Sequence, residues 1–265
     1  MTIITISRGS YSRGKELAEK LAAKLNYKCV SREVLLGTCG QFKVPEKELT
    51  KAIKNAPSIL NRFTREKEQY INRIRATLLE YAQNDNIVYH GLAGQFFLKD
   101  IPNVVKVCLI ADMEYRIKTV MEVENISRKG AMSLLKKIDE ERVKWGRRLY
   151  GIKPFDPILF DLVINIRNLT VDDAVGIIAY ATEFPCFQAT PESREMLKNK
   201  TIKAQIVALL DEYPNADISV KEGRVHVGID APLNQKDRIT QEVKESIERI
   251  KGVEEIEITL ETKST

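Results

Sequence analysis

Seven residues near the N-terminus, Gly9-Ser10-Tyr11-Ser12-Arg13-Gly14-Lys15, constrain this chain more than any other feature. They follow Thr2 to Ile6, an apolar run rich in β-branched residues that reads as a buried strand. They precede Leu17, Ala18, Leu21, Ala22 and Leu25, which recur at helical spacing as far as Asn26, the expected C-cap. Strand, glycine turn and helix form the first unit of an α/β fold. In that setting the pattern GxxxxGK predicts phosphate binding. Glycines let successive backbone N–H groups turn inward, the helix N-terminus adds positive dipole, and Lys15 brings a mobile ammonium to the outer phosphates. The candidate nucleotide-binding residues are therefore Gly9, Ser10, Tyr11, Ser12, Arg13, Gly14, Lys15 and Glu16. Glu16 stands where the pattern usually has a magnesium-ligating Ser or Thr.

The elements downstream repeat the alternation. Lys28 to Val30, Ile87 to Tyr89, Val104 to Ile110 and Leu159 to Ile166 read as strands. Between them, Ile71, Ile74, Leu78, Leu79 and Ala82 line one helical face, in a mostly helical, charged segment from 31 to 85. Asp112 and Ser127 are expected to cap two further helices, and Thr170 to start another. The fold class is thus α/β, a P-loop-type parallel sheet flanked by helices.

A second pattern begins after residue 183. Residues 184–199 hold Pro185 and Pro191 with little periodicity and read as a linker. From Thr201 onward the order is helix, two strands joined through Glu222-Gly223, helix, strand, which is a small α+β domain (α-β-β-α-β). The expected domains are therefore 1–183 and 200–262.

Composition narrows the partners. Basic residues number 42 against 37 acidic, giving a net charge of +5 without a concentrated basic stripe. That excludes a nucleic-acid footprint and leaves room for a small anionic ligand. Cys29, Cys39, Cys108 and Cys186 form no CxxC pair, and with two histidines a zinc site is not expected. No secretory leader or membrane-spanning stretch is read from the sequence, so a cytoplasmic location is expected.

Ile6-Ser7-Arg8 followed by Ser12-Arg13-Gly14-Lys15-Glu16-Leu17-Ala18 resembles the opening of the cytidylate kinase-like family, a branch of the P-loop kinases with an I-S-R start and a G-S-G-G-R-E-I-A run. The resemblance extends over about 180 residues. It includes Val104 to Asp112 followed by Arg116, the D-x-x-R-like segment Ile138-Asp139-Glu140-Glu141-Arg142, and Phe160-Asp161-Leu162-Val163-Ile164-Asn165 beside the family's Y-D-L-x-I-N strand. Tyr11 and Arg13 depart from the family by standing at glycine positions. His90-Gly91 replaces the family's G-R pair, and Leu135 stands where bacterial cytidylate kinases begin their lid motif.

The resemblance implies ATP-dependent transfer of the γ-phosphoryl group to a small acceptor such as CMP, with Mg2+. It makes Lys15, Arg142, Arg147 and Arg148 the catalytic candidates and sets Arg116 beside the adenine. For the arginines, solvated pairing with Glu140 and Glu141 is an equally open reading. Ser10, Ser12 and Glu16 are the magnesium candidates, with none preferred. Arg32, Arg73 and Arg75 are candidate acceptor contacts, again set against a surface role. Val220, Glu222-Gly223, Val225, Val227, Gly228 and Gly252-Val253 resemble the BON domain, which implies a regulatory or homo-oligomerising attachment. A catalytically impaired, nucleotide-binding regulator that signals through this domain is the alternative function.

Overall fold

The computed structural model describes residues 2–31, 65–91, 93–230 and 235–261. Cys39 and Arg32 lie outside the described residues, as does most of the segment expected to hold the acceptor. The described residues gather in two compact units, residues 2–31 and 84–190 (without 92) in the first, and 65–83 with those from 191 onward in the second.

The first unit is a five-stranded sheet: β1 (Ile3–Arg8), β2 (Lys28–Ser31), β3 (Ile87–His90), β4 (Val104–Ile110) and β5 (Leu162–Asn165). Its order is β2-β3-β1-β4-β5, and every pairing is parallel. Parallel strands need crossovers, which here include α1 (Gly14–Leu25), a single turn α3 (Gly94–Phe97), α4 (Met113–Glu124) and α5 (Arg128–Tyr150), while α6 (Val171–Ala181) follows the last strand. On one face, Ile4, Ile6, Val105 and Val107 bury against Leu17 and Leu21 of α1 and Val175 and Ile178 of α6. Each such side chain, wholly removed from water, contributes roughly 1.5–3 kcal/mol.

The caps explain where the helices start. Ser127 Oγ accepts from Gly130 N at 3.2 Å, and Thr170 forms a reciprocal capping box with Asp173. Asp112 sits at the N-cap of α4 without a capping bond, its carboxylate 3.1 Å from Arg167 Nε instead. The last strand is shorter than its apolar run suggests. Asp156 and Pro157 start a 3-10 turn over Pro157–Leu159, and β5 begins only after Asp161, whose carboxylate accepts from Lys106 N at 2.7 Å.

In the second unit, α2 (Arg65–Ala82) packs along α7 (Pro191–Leu209). β6 (Asp217–Lys221), β7 (Arg224–Asp230), α8 (Lys236–Ile247) and β8 (Glu255–Glu261) complete it. β6 and β7 are antiparallel, and β7 and β8 parallel. Glu222 and Gly223, both at positive φ (51° and 77°), make the hairpin turn the sequence predicts. Residues 191–199, expected as linker, are the first half of α7. Pro191 follows Thr190 as the first helical residue, and the buried positions mix Ser193 and Thr201 with Leu197 and Ile202, which hides the periodicity. Arg73 Nη2 pairs with Asp211 at 2.9 Å within this unit. Among the described residues no helix is long and apolar enough to cross a membrane.

Candidate active site

The site starts where β1 runs out. Open parallel sheets bind ligands outside the carboxyl ends of their strands, and β1 is central, between β3 and β4. Gly9 N donates to Leu109 O of β4 at 3.1 Å, Ser12 Oγ donates back to Gly9 O at 2.7 Å, and Leu17 N donates to Arg13 O at 3.1 Å to open α1. Within this curl Tyr11 (φ 59°) and Arg13 (φ 55°) are left-handed. Backbone turned this way gathers successive N–H groups into an anion-binding concavity, at roughly 1–2 kcal/mol for each residue carrying a Cβ.

Side chains hold that conformation. The Tyr11 ring packs against the cluster of Ile117, Val120, Ala131 and Leu135, and its hydroxyl donates to Glu124 Oε1 at 2.7 Å. Burial, with help from Glu124, pushes the phenol up to about 12. Arg13 forms a bidentate pair with Glu16 at 2.6 and 2.7 Å.

Two arginines tie the loop to the helices that follow β4. Arg116 is 8% exposed; its Nε donates to Ser10 O at 2.8 Å, and its Nη2 lies 2.9 Å from both oxygens of Asp139. Arg142 Nη1 donates to Arg8 O at 2.8 Å. Burial, with Arg8 and Arg116 adding repulsion against the pull of Asp139, pushes the Arg142 guanidinium down to about 10. A cation so placed gains from an incoming anion.

Over the loop opens a cavity of about 980 Å3. Arg8, Arg13, Lys15 and Arg142 contribute to its described lining, against a single carboxylate, Glu19. Lys15 is largely in solvent, its ammonium 3.7 Å from Glu19 Oε1. Of the three arginines proposed from sequence, only Arg142 lines the cavity; Arg147 and Arg148 are exposed on the last turn of α5. Arg116 lies outside the lining too, committed to Ser10 and Asp139.

The cytidylate kinase-like family matches residues 3–168, more than half of the chain. The chain belongs to the cytidylate kinase-like family. A cytidylate kinase of Sulfurisphaera tokodaii is 30% identical over 120 residues, 45% of this chain and 66% of that relative. A cytidylate kinase of Staphylothermus marinus is 34% identical over 101 residues, 37% of this chain and 55% of that one. The chain thus spans less than two thirds of the length of either relative. An uncharacterized protein from Eubacterium ventriosum, known by crystal structure, has the same fold, with a TM-score of 0.53 and 24% identity over 69% of this chain and 99% of that one.

The family departures have a physical account in three dimensions. Tyr11 and Arg13 keep the left-handed backbone that glycine would adopt freely, held by the contacts above. At the end of β3, where the family has G-R, Arg8 Nη1 lies 3.1 Å from His90 Nδ1. Arginine can only donate, so in this pair Nδ1 is the accepting atom. A guanidinium therefore stands at the end of β3, supplied by β1. Gly14 makes room for it, since a Cβ there would run into the Arg8 side chain.

Ser7 Oγ donates to Gln95 Oε1 at 2.7 Å, and Gln95 Nε2 donates to Pro154 O at 3.1 Å, fixing the cavity wall. Arg8 and Gln95 are absent from the sequence-derived site. The signal for Arg8 is its place at the carboxyl end of the central strand; Gln95, on a single helical turn, carries none.

Proposed function

We propose that this chain is an ATP-dependent nucleoside monophosphate kinase of the cytidylate type, acting on CMP or a related small acceptor. The observation that carries the reading is the anion-directed loop. Left-handed Tyr11 and Arg13 and the start of α1 face a cavity whose lining, among the described residues, holds four cationic side chains against one acidic one.

Phosphoryl transfer asks the protein for alignment and charge neutralisation. The amides of residues 9–14 and the Lys15 ammonium would hold the donor phosphates, and Arg8 and Arg142 would face the transferring group and acceptor. The acceptor oxygen forms a bond to the γ-phosphorus while the bond to the β-γ bridging oxygen breaks, releasing ADP. Arg142 suits this role because its charge is partly desolvated, so negative charge spreading over the phosphoryl oxygens gains more from it than from an exposed cation. Arg116 and Asp139 position the loop.

A bound Mg2+ would supply positive charge against the donor phosphates, and Ser10, Ser12 and Glu16 are the residues available to hold it. Among the three candidate ligands, Ser12 is engaged by Gly9 O, and Glu16 by Arg13 with Lys20 3.5 Å away, while the buried Ser10 hydroxyl has no partner among the described residues. Ser10 therefore fits the metal, which needs few protein oxygens because it retains water and phosphate ligands.

One observation favours the non-catalytic reading: two loop cations, Arg13 and Lys15, already face carboxylates of α1. On that reading the BON-like segment would report nucleotide occupancy, or join two copies, and the protein would act from the cytoplasm. A coupled assay of ADP release with a panel of nucleoside monophosphates, run beside Lys15→Ala, tests the choice. Turnover with a pyrimidine monophosphate that Lys15→Ala abolishes supports the kinase. ATP binding by calorimetry with no turnover on any acceptor supports the regulator, and absence of ATP binding defeats both.

A further inference from the structure

Helix α5 presents Ile138, Arg142 and Trp145 to the cavity from one face, at spacings of four and three residues. Trp145 is 6% exposed, and its indole Nε1 is buried with no hydrogen-bond partner among the described residues. A buried donor left unmet is costly, and most such groups in folded proteins are satisfied.

Aromatic rings and a close backbone approach surround this indole. Its ring meets Tyr150 edge-on with centroids 5.6 Å apart, and Tyr150 stacks flat on Phe96 at 3.9 Å. The chain after α5 folds back against Gly146, where an added Cβ would lie 2.7 Å from Pro154 Cδ and 3.0 Å from Ile152 O. That approach brings Pro154 and Phe155 into the lining beside Trp145. The neighbouring amide, Gln95, is spent on Ser7 and Pro154 O. Phosphates have Arg8 and Arg142 to meet them, whereas an apolar aromatic wall suits the flat face of a base.

We propose that Trp145 is a specificity-determining residue whose indole N–H donates to a ring nitrogen or carbonyl oxygen of the acceptor's base. The inference rests on the kinase reading above and deepens it. Trp145 is also the only tryptophan in the chain, so its emission reports on this one position.

Two measurements test it. Wild-type protein saturated with ADP is titrated with CMP, UMP, cytidine and ribose 5-phosphate, following tryptophan emission alongside calorimetry. The base-bearing ligands are expected to shift or quench the emission, and ribose 5-phosphate to leave it unchanged. Trp145→Phe keeps an aromatic ring and loses the donor. In the coupled assay it is expected to raise the acceptor KM about tenfold, equal to about 1.4 kcal/mol, with kcat and the ATP dissociation constant within twofold. A KM within twofold of wild type, or an emission unmoved by nucleotides that calorimetry shows bound, overturns the proposal while leaving the kinase reading standing. An equal response to ribose 5-phosphate reassigns the contact to phosphate and also overturns it. If the panel and ATP all fail to bind, the underlying reading falls first.

Discussion

Replacing Arg13 by alanine and by glycine isolates the backbone cost of the phosphate loop. Both changes delete the same side chain, so the bidentate pair with Glu16 is lost equally and cancels in the comparison. What differs is the Cβ at φ 55°, ψ 21°. Left-handed backbone costs a residue with a Cβ roughly 1–2 kcal/mol. Against this, glycine gives the unfolded chain an entropy advantage of about 0.4–1 kcal/mol over alanine. The N-cap preference for glycine over alanine points the same way as the backbone term. Arg13→Gly is therefore expected to be more stable than Arg13→Ala by about 1 kcal/mol. In urea that difference moves the unfolding midpoint by roughly 0.3–0.5 M, for a slope of about 2–3 kcal/mol/M. Ala23→Gly, on an exposed position of α1, serves as the control and should reverse the sign, losing about 1 kcal/mol. If Arg13→Ala equals or exceeds Arg13→Gly while the control behaves, the loop does not hold left-handed backbone at residue 13, and the anion-binding curl derived from it is wrong.

Three more outcomes follow from the same structure. Asp139→Asn leaves the buried Arg116 guanidinium without its counter-charge, so about 1–3 kcal/mol of stability should be lost, discounted because Asp139 is 30% exposed, with weaker ATP binding by calorimetry. Tyr11 is neutral when protonated and its folded pKa is raised to about 12, so its contribution is complete below pH 10 and lost as the pH climbs toward 12; Tyr11→Phe should flatten that part of a thermal-melt pH profile. Under a thiol reagent, among the three described cysteines exposed Cys186 should react first and Cys108 last, since burial pushes the Cys108 thiol up to about 12; ATP should slow Cys29, which lines the cavity.

The sequence alone determined what depends on neighbours in the chain. The β1-loop-α1 unit, the Asn26 cap, the Ser127 and Thr170 caps and the Glu222-Gly223 turn are local, because a few adjacent residues set the dihedrals and supply the bonds. Alternation of strands and helices likewise carried the parallel sheet. Tertiary structure decided which distant groups meet. Only the strand order places Arg8 against His90, 82 residues away, and only the packing of α5 separates Arg142 in the cavity from Arg147 and Arg148 in solvent. The resemblance set Arg116 beside the adenine, and only the packing shows its bonds to Ser10 O and Asp139. In α7, buried Ser193 and Thr201 satisfied within the fold concealed a helix that apolar spacing could not reveal. Hydrogen bonds and charge pairs act over ångströms in space and leave no period in the sequence, so the scaffold and the phosphate loop could be read from the chain while the partners of Arg8, Arg116 and Arg142 had to be found in three dimensions.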